Sequence, residues 1–111
     1  MYDFSSMKKE KIIESIKDVA RKSFPPGSSL ILYGSQARGE ERKDSDWDLL
    51  ILLNKPQVEE SDYDNLSFPL TFLGWQIGET ISPQIYTRKE WDSMSYLPYY
   101  KNVERDKIVL I

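Results

Sequence analysis

Asp46 and Asp48 stand two residues apart in the run Asp44-Ser45-Asp46-Trp47-Asp48-Leu49-Leu50-Ile51. Alternate residues of an extended chain leave the same face, so at the start of a strand these two carboxylates converge. Like charges at that separation repel, and a divalent cation between them removes the repulsion. Taken alone, the pair suits two solvated carboxylates at a strand end better than a metal site, because acidic residues are common there. A little earlier, Gly34-Ser35 closes the apolar run of residues 29–33 and precedes good helix formers. A glycine and serine between strand and helix present free backbone N–H groups and the positive end of the helix dipole, both of which favour a phosphate. Alone, the same dipeptide serves as a turn and helix cap.

The chain has neither cysteine nor histidine. Any metal must therefore be held by oxygen, which points to Mg2+ or Mn2+ rather than zinc, and no imidazole is available to shuttle protons. A length of 111 residues suits one compact domain spanning residues 1–111. Apolar residues at 40% and charged residues at 30% are the balance of a soluble globular protein. No apolar run approaches the roughly 20 residues that cross a bilayer, and the segment MYDFSSMKKEK lacks the pattern of a secretory signal. The expected location is cytoplasmic, with no membrane contact. A net charge of -3 argues against sequence-independent binding to nucleic acid, which enters only as an acceptor.

The elements that must position these residues follow from periodicity and turn chemistry. Ile12, Ile13, Ile16, Val19, Ala20 and Phe24 recur at helical spacing, predicting a first helix over 5–24 with Ser5 or Ser6 as its cap, stopped by Pro25-Pro26-Gly27. A strand over 29–33, a tight turn and a short helix over 36–41 come next. Residues 47–53 read as a central strand with Trp47 facing the core, opposite to the aspartates. Residues 57–77 predict a long helix that ends at Gly78 and is kinked or shortened by Pro69. Its acidic start at 59–64 suits the positive end of the helix dipole. A third strand over 79–87 carries Pro83, which favours an edge position. Short helices over 88–94 and 98–105 and a strand over 108–111 complete an α/β (α+β) fold, a small mixed β-sheet flanked by helices. Trp75, Trp91, Tyr96, Tyr99 and Tyr100 are expected in the core or at an interface.

The run Gly34-Ser35-Gln36-Ala37-Arg38-Gly39, followed by Ser45-Asp46-Trp47-Asp48-Leu49-Leu50, closely resembles the signature of the polymerase-beta-like nucleotidyltransferase superfamily in its small single-domain branch. The resemblance implies transfer of a nucleoside monophosphate from a nucleoside triphosphate, ATP first among them, to an acceptor hydroxyl on a protein, an RNA end or a small molecule. It implies that Asp46 and Asp48 are the metal ligands. Ser35 and the amides near Gly34 would hold the β and γ phosphates. Arg38 would contact a phosphate, or pair with one of the nearby aspartates and hold the turn against the strand. It also implies an all-helical partner protein, in arrangements like toxin and antitoxin modules.

Enzymes of this family carry a third carboxylate on a later strand. Here Gln84 stands at the third position, a neutral ligand that cannot take a proton. Glu79 is five positions away, an odd number, and in a regular strand points from the opposite face. Two functions are therefore compatible with the sequence, an active transferase and a nucleotide-binding module without turnover.

Overall fold

The structure, a computed structural model, describes residues 4–111, and side chains from Lys8 onward. Helix α1 (Phe4–Ser23) leads to β1 (Ser29–Tyr33), the short α2 (Ser35–Arg38) and β2 (Trp47–Leu53). A helical crossover follows, made of α3 (Glu60–Asp62), a π-helical turn (Tyr63–Ser67) and α4 (Phe68–Ile77). The chain then forms β3 (Ile81–Thr87), α5 (Arg88–Ser93), α6 (Pro98–Asp106) and β4 (Ile108–Val109). The cap expected from Ser5 or Ser6 falls outside the described side chains.

The four strands form one mixed sheet in the order β3-β2-β1-β4. Strand β1 runs antiparallel to both β2 and β4, while β2 and β3, joined by the helical crossover, are parallel. This is the α/β sheet with flanking helices that the sequence predicts. Strand β2 is central, and its unbroken apolar run is explained by helices on both faces. On one face Leu30, Leu32, Trp47, Leu49, Ile51, Ile81 and Ile85 pack against Ile12, Ile16 and Ala20 of α1 and Leu70 and Leu73 of α4. On the other, Ile31, Leu50 and Leu52 meet Trp91 and Val103, with Tyr33, Tyr86, Tyr99 and Tyr100 around them. Trp47 is 1% exposed on the first face, as its alternation with the aspartates requires.

Several boundaries differ from the sequence-based expectation, and β3 begins at Ile81 rather than residue 79, which leaves Glu79 in the connection that follows the α4 cap at Gly78. Helix α2 stops at Arg38 rather than residue 41, because Gly39 adopts a left-handed cap with φ 73. The strand over 108–111 narrows to Ile108–Val109, although Leu30 still exchanges backbone hydrogen bonds with Ile111. The crossover begins at Glu60 rather than 57, and Pro69 does not simply kink it. Proline has no N–H to donate and its ring crowds the carbonyl four residues back, and the π-helical turn just before it widens the ladder at that point. The predicted end at Gly78 is where the helix ends, with φ 74. Thr87 and Glu90 form a capping box at the start of α5, fixing where β3 stops.

Candidate active site

The β1–β2 ladder sets Tyr33 opposite Asp48, so the residue after Tyr33 begins its turn beside the aspartate. Gly34 has φ 76 and ψ -160, a conformation that L side chains rarely adopt. A Cβ built on Gly34 would overlap the Asp48 carboxylate oxygen Oδ2. The backbone angle and the contact with Asp48 each call for glycine.

Ala37 and Arg38 both donate their amides to the Gly34 carbonyl, at 3.0 and 3.1 Å. The amides of Ser35 and Gln36 precede them at the helix start, where helix geometry supplies no intrahelical acceptor. Gln36 is 5% exposed, and its side-chain amide donates to the Ser45 carbonyl at 3.3 Å, tying α2 to the loop that delivers Asp46.

Asp48 is partly buried and Asp46 is exposed. Burial pushes the Asp48 carboxyl above its ordinary range, the Asp46 charge pushes it further, and Arg38 partly offsets both. Ser82, Gln84 and Tyr86 of β3 share the Asp48 face of the sheet. In the parallel register Ser82 lies directly beside Asp48, while Gln84 lies beside Leu50, one pleat farther along and exposed. Gln84 thus has the expected parity, but the nearest β3 neighbour of Asp48 is Ser82. Glu79 precedes β3 and accepts from Trp47 Nε1 at 3.4 Å, on the opposite face, as its odd spacing requires. Among the described residues no three carboxylate, thiol or imidazole side chains gather at one point.

Arg38 makes its ion pairs elsewhere than expected. Its guanidinium donates to Asp106 at 2.8 Å and to Glu40 at 3.1 Å, rather than to Asp46 or Asp48. Asp106, at the end of α6, has a side chain that is 6% exposed and also accepts from Arg105. The two arginines hold its carboxyl at about 2, well below the usual range. Nothing local in the sequence marks this pair, whose members lie 68 residues apart. The hydrogen-bonded hydroxyls of Tyr33 and Tyr99, 3.1 Å apart, were also missed, although Tyr33 immediately precedes the turn. Burial, then the Tyr33 contact, pushes the Tyr99 hydroxyl far above its ordinary value.

This donor set fits a hard divalent cation. Two carboxylates of one parity stand at one end of β2, and the burial and repulsion that raise Asp48 are the costs a bound cation relieves. The acidic start of the crossover is structural instead. Lys55 bridges Glu59 and Asp62, which cap α3. A separate cleft of about 410 Å³ lies by Trp47 and Glu79, behind the Asp48 face, with Lys8, Lys9, Arg42 and Lys43 along it. Lys9 is already paired there with Glu41 at 2.8 Å.

The family model described as "Nucleotidyltransferase domain" matches residues 13–108, and the chain belongs to that family. No curated protein matches the sequence. Among solved structures, one described as "Crystal structure of the toxin-antitoxin with AMP-PNP" superposes with a TM-score of 0.65 at 16% identity, covering 89% of this chain and 72% of that one. That likeness is one of fold, and the fold is that of a nucleotidyltransferase domain. Among the described residues no helix is long and apolar enough to cross a membrane.

Proposed function

We propose that residues 1–111 form a single metal-dependent nucleotidyltransferase domain that moves a nucleoside monophosphate from a nucleoside triphosphate to an acceptor hydroxyl on a protein, an RNA end or a small molecule. The carrying observation is the packing of Gly34 against Asp48, which joins the phosphate-binding turn and the metal-ligand strand into one site. Asp46 and Asp48 hold Mg2+ or Mn2+ through carboxylate oxygens. When bound, the cation neutralises triphosphate charge and lowers the pKa of the attacking hydroxyl, so a histidine is not needed. The amides of Ser35 and Gln36, with the Ser35 hydroxyl, bind the β and γ phosphates, and the absence of a side chain on Gly34 lets them approach. Arg38 stands at the far end of α2, anchored to Asp106, where it steadies the turn and offers its guanidinium to a phosphate. Gln84 and Ser82 complete the Asp48 face with neutral oxygens.

ATP is the proposed donor, consistent with the AMP-PNP named for the structural neighbour. That neighbour's toxin-antitoxin description supports a partner protein, and an all-helical one is proposed. The protein is taken to work in the cytoplasm. One observation favours a second reading, a nucleotide-binding module without turnover: no third carboxylate joins the pair among the described residues. Radiolabelled ATP incubated with Mg2+ and the copurifying partner separates the two. Label transferred to the partner, to RNA or to a small molecule, and lost in Asp48→Asn, supports the transferase. Saturable binding of ATP with no transfer supports the module.

A further inference from the structure

Helix α6 meets the phosphate turn at two points, and both contacts come from one side of the helix. Tyr99 and Asp106 stand seven residues apart on α6, two turns or about 10 Å along its axis, with Val103 between them. Spacings of four and then three place the three side chains on one face. Val103 is 1% exposed and packs with Leu50, Leu52 and Trp91, so this is the face turned to the sheet. The Tyr99 hydroxyl is hydrogen-bonded to that of Tyr33 at 3.1 Å, with the rings edge-on at 5.9 Å. Asp106 accepts from Arg38 at 2.8 Å. Tyr33 immediately precedes Gly34 and Arg38 is the last residue of α2, so the two contacts bracket residues 34–37.

The bracketed segment has little of its own to hold it in place. Gly34, at φ 76, occupies a conformation that glycine takes without strain and leaves as easily. Helix α2 has four residues, too few to be stable alone. Gln36 ties its middle to the Ser45 carbonyl, and α6 holds both flanks. Helix α6 is itself firmly seated. Trp91 meets Tyr99 edge-on at 5.6 Å and Tyr100 at 4.8 Å, and its Nε1 donates to Glu104 at 3.1 Å. Tyr33 also sits opposite Asp48 in the β1–β2 ladder, which carries this support to the aspartate side of the site.

We infer that Tyr99 is a positioning residue for nucleotide binding. Through the Tyr33 hydroxyl it fixes the entry to the turn, while Asp106 on the same helix face fixes the exit through Arg38. Together they aim the Ser35 and Gln36 amides at the β and γ phosphates. Donors held ready in this way need no rearrangement when the ligand arrives. The inference rests on the proposed nucleotide site and gives Tyr99 no contact with the nucleotide.

Tyr99→Phe removes one hydroxyl and keeps the ring against Trp91, and Tyr33→Phe removes the partner hydroxyl. Calorimetric titration with ATP and with inorganic tripolyphosphate, each in Mg2+, reads the turn with and without a base and ribose. Each single variant should weaken both ligands by roughly threefold to tenfold, the measure of one hydrogen bond. The double variant should bind no more weakly than either single one, because all three lose the same bond. Melting separates positioning from stability. A hydroxyl left without its partner lowers Tm in the single variants, and the double variant, with neither hydroxyl, should melt close to wild type while its affinity stays low. Affinity that recovers along with Tm in the double variant, or wild-type affinity in both single variants, overturns the inference and leaves the nucleotide site standing. Weakened ATP with unchanged tripolyphosphate also overturns it, since Tyr99 would then act on the base or ribose. A wild type that binds neither ligand overturns the nucleotide site and the inference with it.

Discussion

Gly34 and Asp48 lie against each other across the β1–β2 ladder, with the Asp48 carboxylate in the space that a side chain on residue 34 would fill. The turn and the strand that carries Asp48 are therefore one unit, and substitution of either partner is felt by the other. Gly34→Ala forces the Asp48 carboxylate away and imposes φ 76 on a residue with a Cβ. A stability loss of about 1–3 kcal/mol is expected, with loss of Mg-ATP binding. Gly34→Val should be worse, because branching adds bulk at the same point. Thermal melts beside calorimetry check this, and a Gly34→Val protein that melts and binds like wild type would refute the assignment of the turn.

Asp48 carries a pH signature of opposite sign to most carboxylates. Its folded pKa is raised by burial and by Asp46, so folding is favoured when it is protonated, and that stability is lost as pH rises from the ordinary carboxylate value of 3.8 through the raised one. At neutral pH and without metal, Asp48→Asn should therefore melt above wild type, and the gap should close toward low pH. Melting curves in a chelator across this range are the measurement.

Asp106 behaves in the usual direction. Arg105 and Arg38 lower its pKa from 3.8 to about 2, so its contribution is fully present above 3.8 and fades as pH falls through about 2. Asp106→Asn should melt below wild type at neutral pH, with the difference shrinking over that acid interval. Because the same carboxylate holds Arg38, the variant should also change the affinity for Mg-ATP, with Asp106→Glu partly restoring the wild-type value by titration calorimetry.

The β3 register makes Ser82 and Gln84 separable. Ser82→Asp adds a charge directly beside Asp48, and Gln84→Asp adds one a pleat away. Without metal, both should lower the melting temperature, Ser82→Asp by more, and Mg2+ should recover the loss by binding the folded state. In a transfer assay with the acceptor present, the variant that supplies the better-placed carboxylate should gain turnover, by on the order of 10²-fold for a positioned acid-base group. Melts indifferent to Mg2+ in both variants would mean that β3 does not face the pair.

What the sequence made legible was local. The strand-turn-helix-strand order around Gly34 and Asp48, the inward face of Trp47 and the helix end at Gly78 follow from period and turn chemistry within a few residues. The register of β3 on β2 was not legible, because parity assigns a face but only tertiary pairing decides whether Ser82 or Gln84 meets Asp48. Arg38 illustrates the same limit. Nearby aspartates made a local partner attractive, yet the partner is Asp106, brought in by the packing of α6. On α4, hydrophobic residues on every side concealed which face the core takes, so the exposure of Phe68, Phe72 and Trp75 became visible only in three dimensions.

The central claim is that Asp46 and Asp48 bind a divalent cation together with a nucleoside triphosphate at the Gly34 turn. Isothermal titration of the chain with ATP, in the presence of Mg2+ and in its absence, tests it most directly, alongside Asp46→Asn and Asp48→Asn. The account predicts saturable binding that requires Mg2+ and is lost in both variants, while both stay folded and Asp48→Asn melts higher. Binding that survives in both variants, or a wild type that binds no Mg-ATP while both variants melt far lower, would contradict it and leave the aspartates a structural pair.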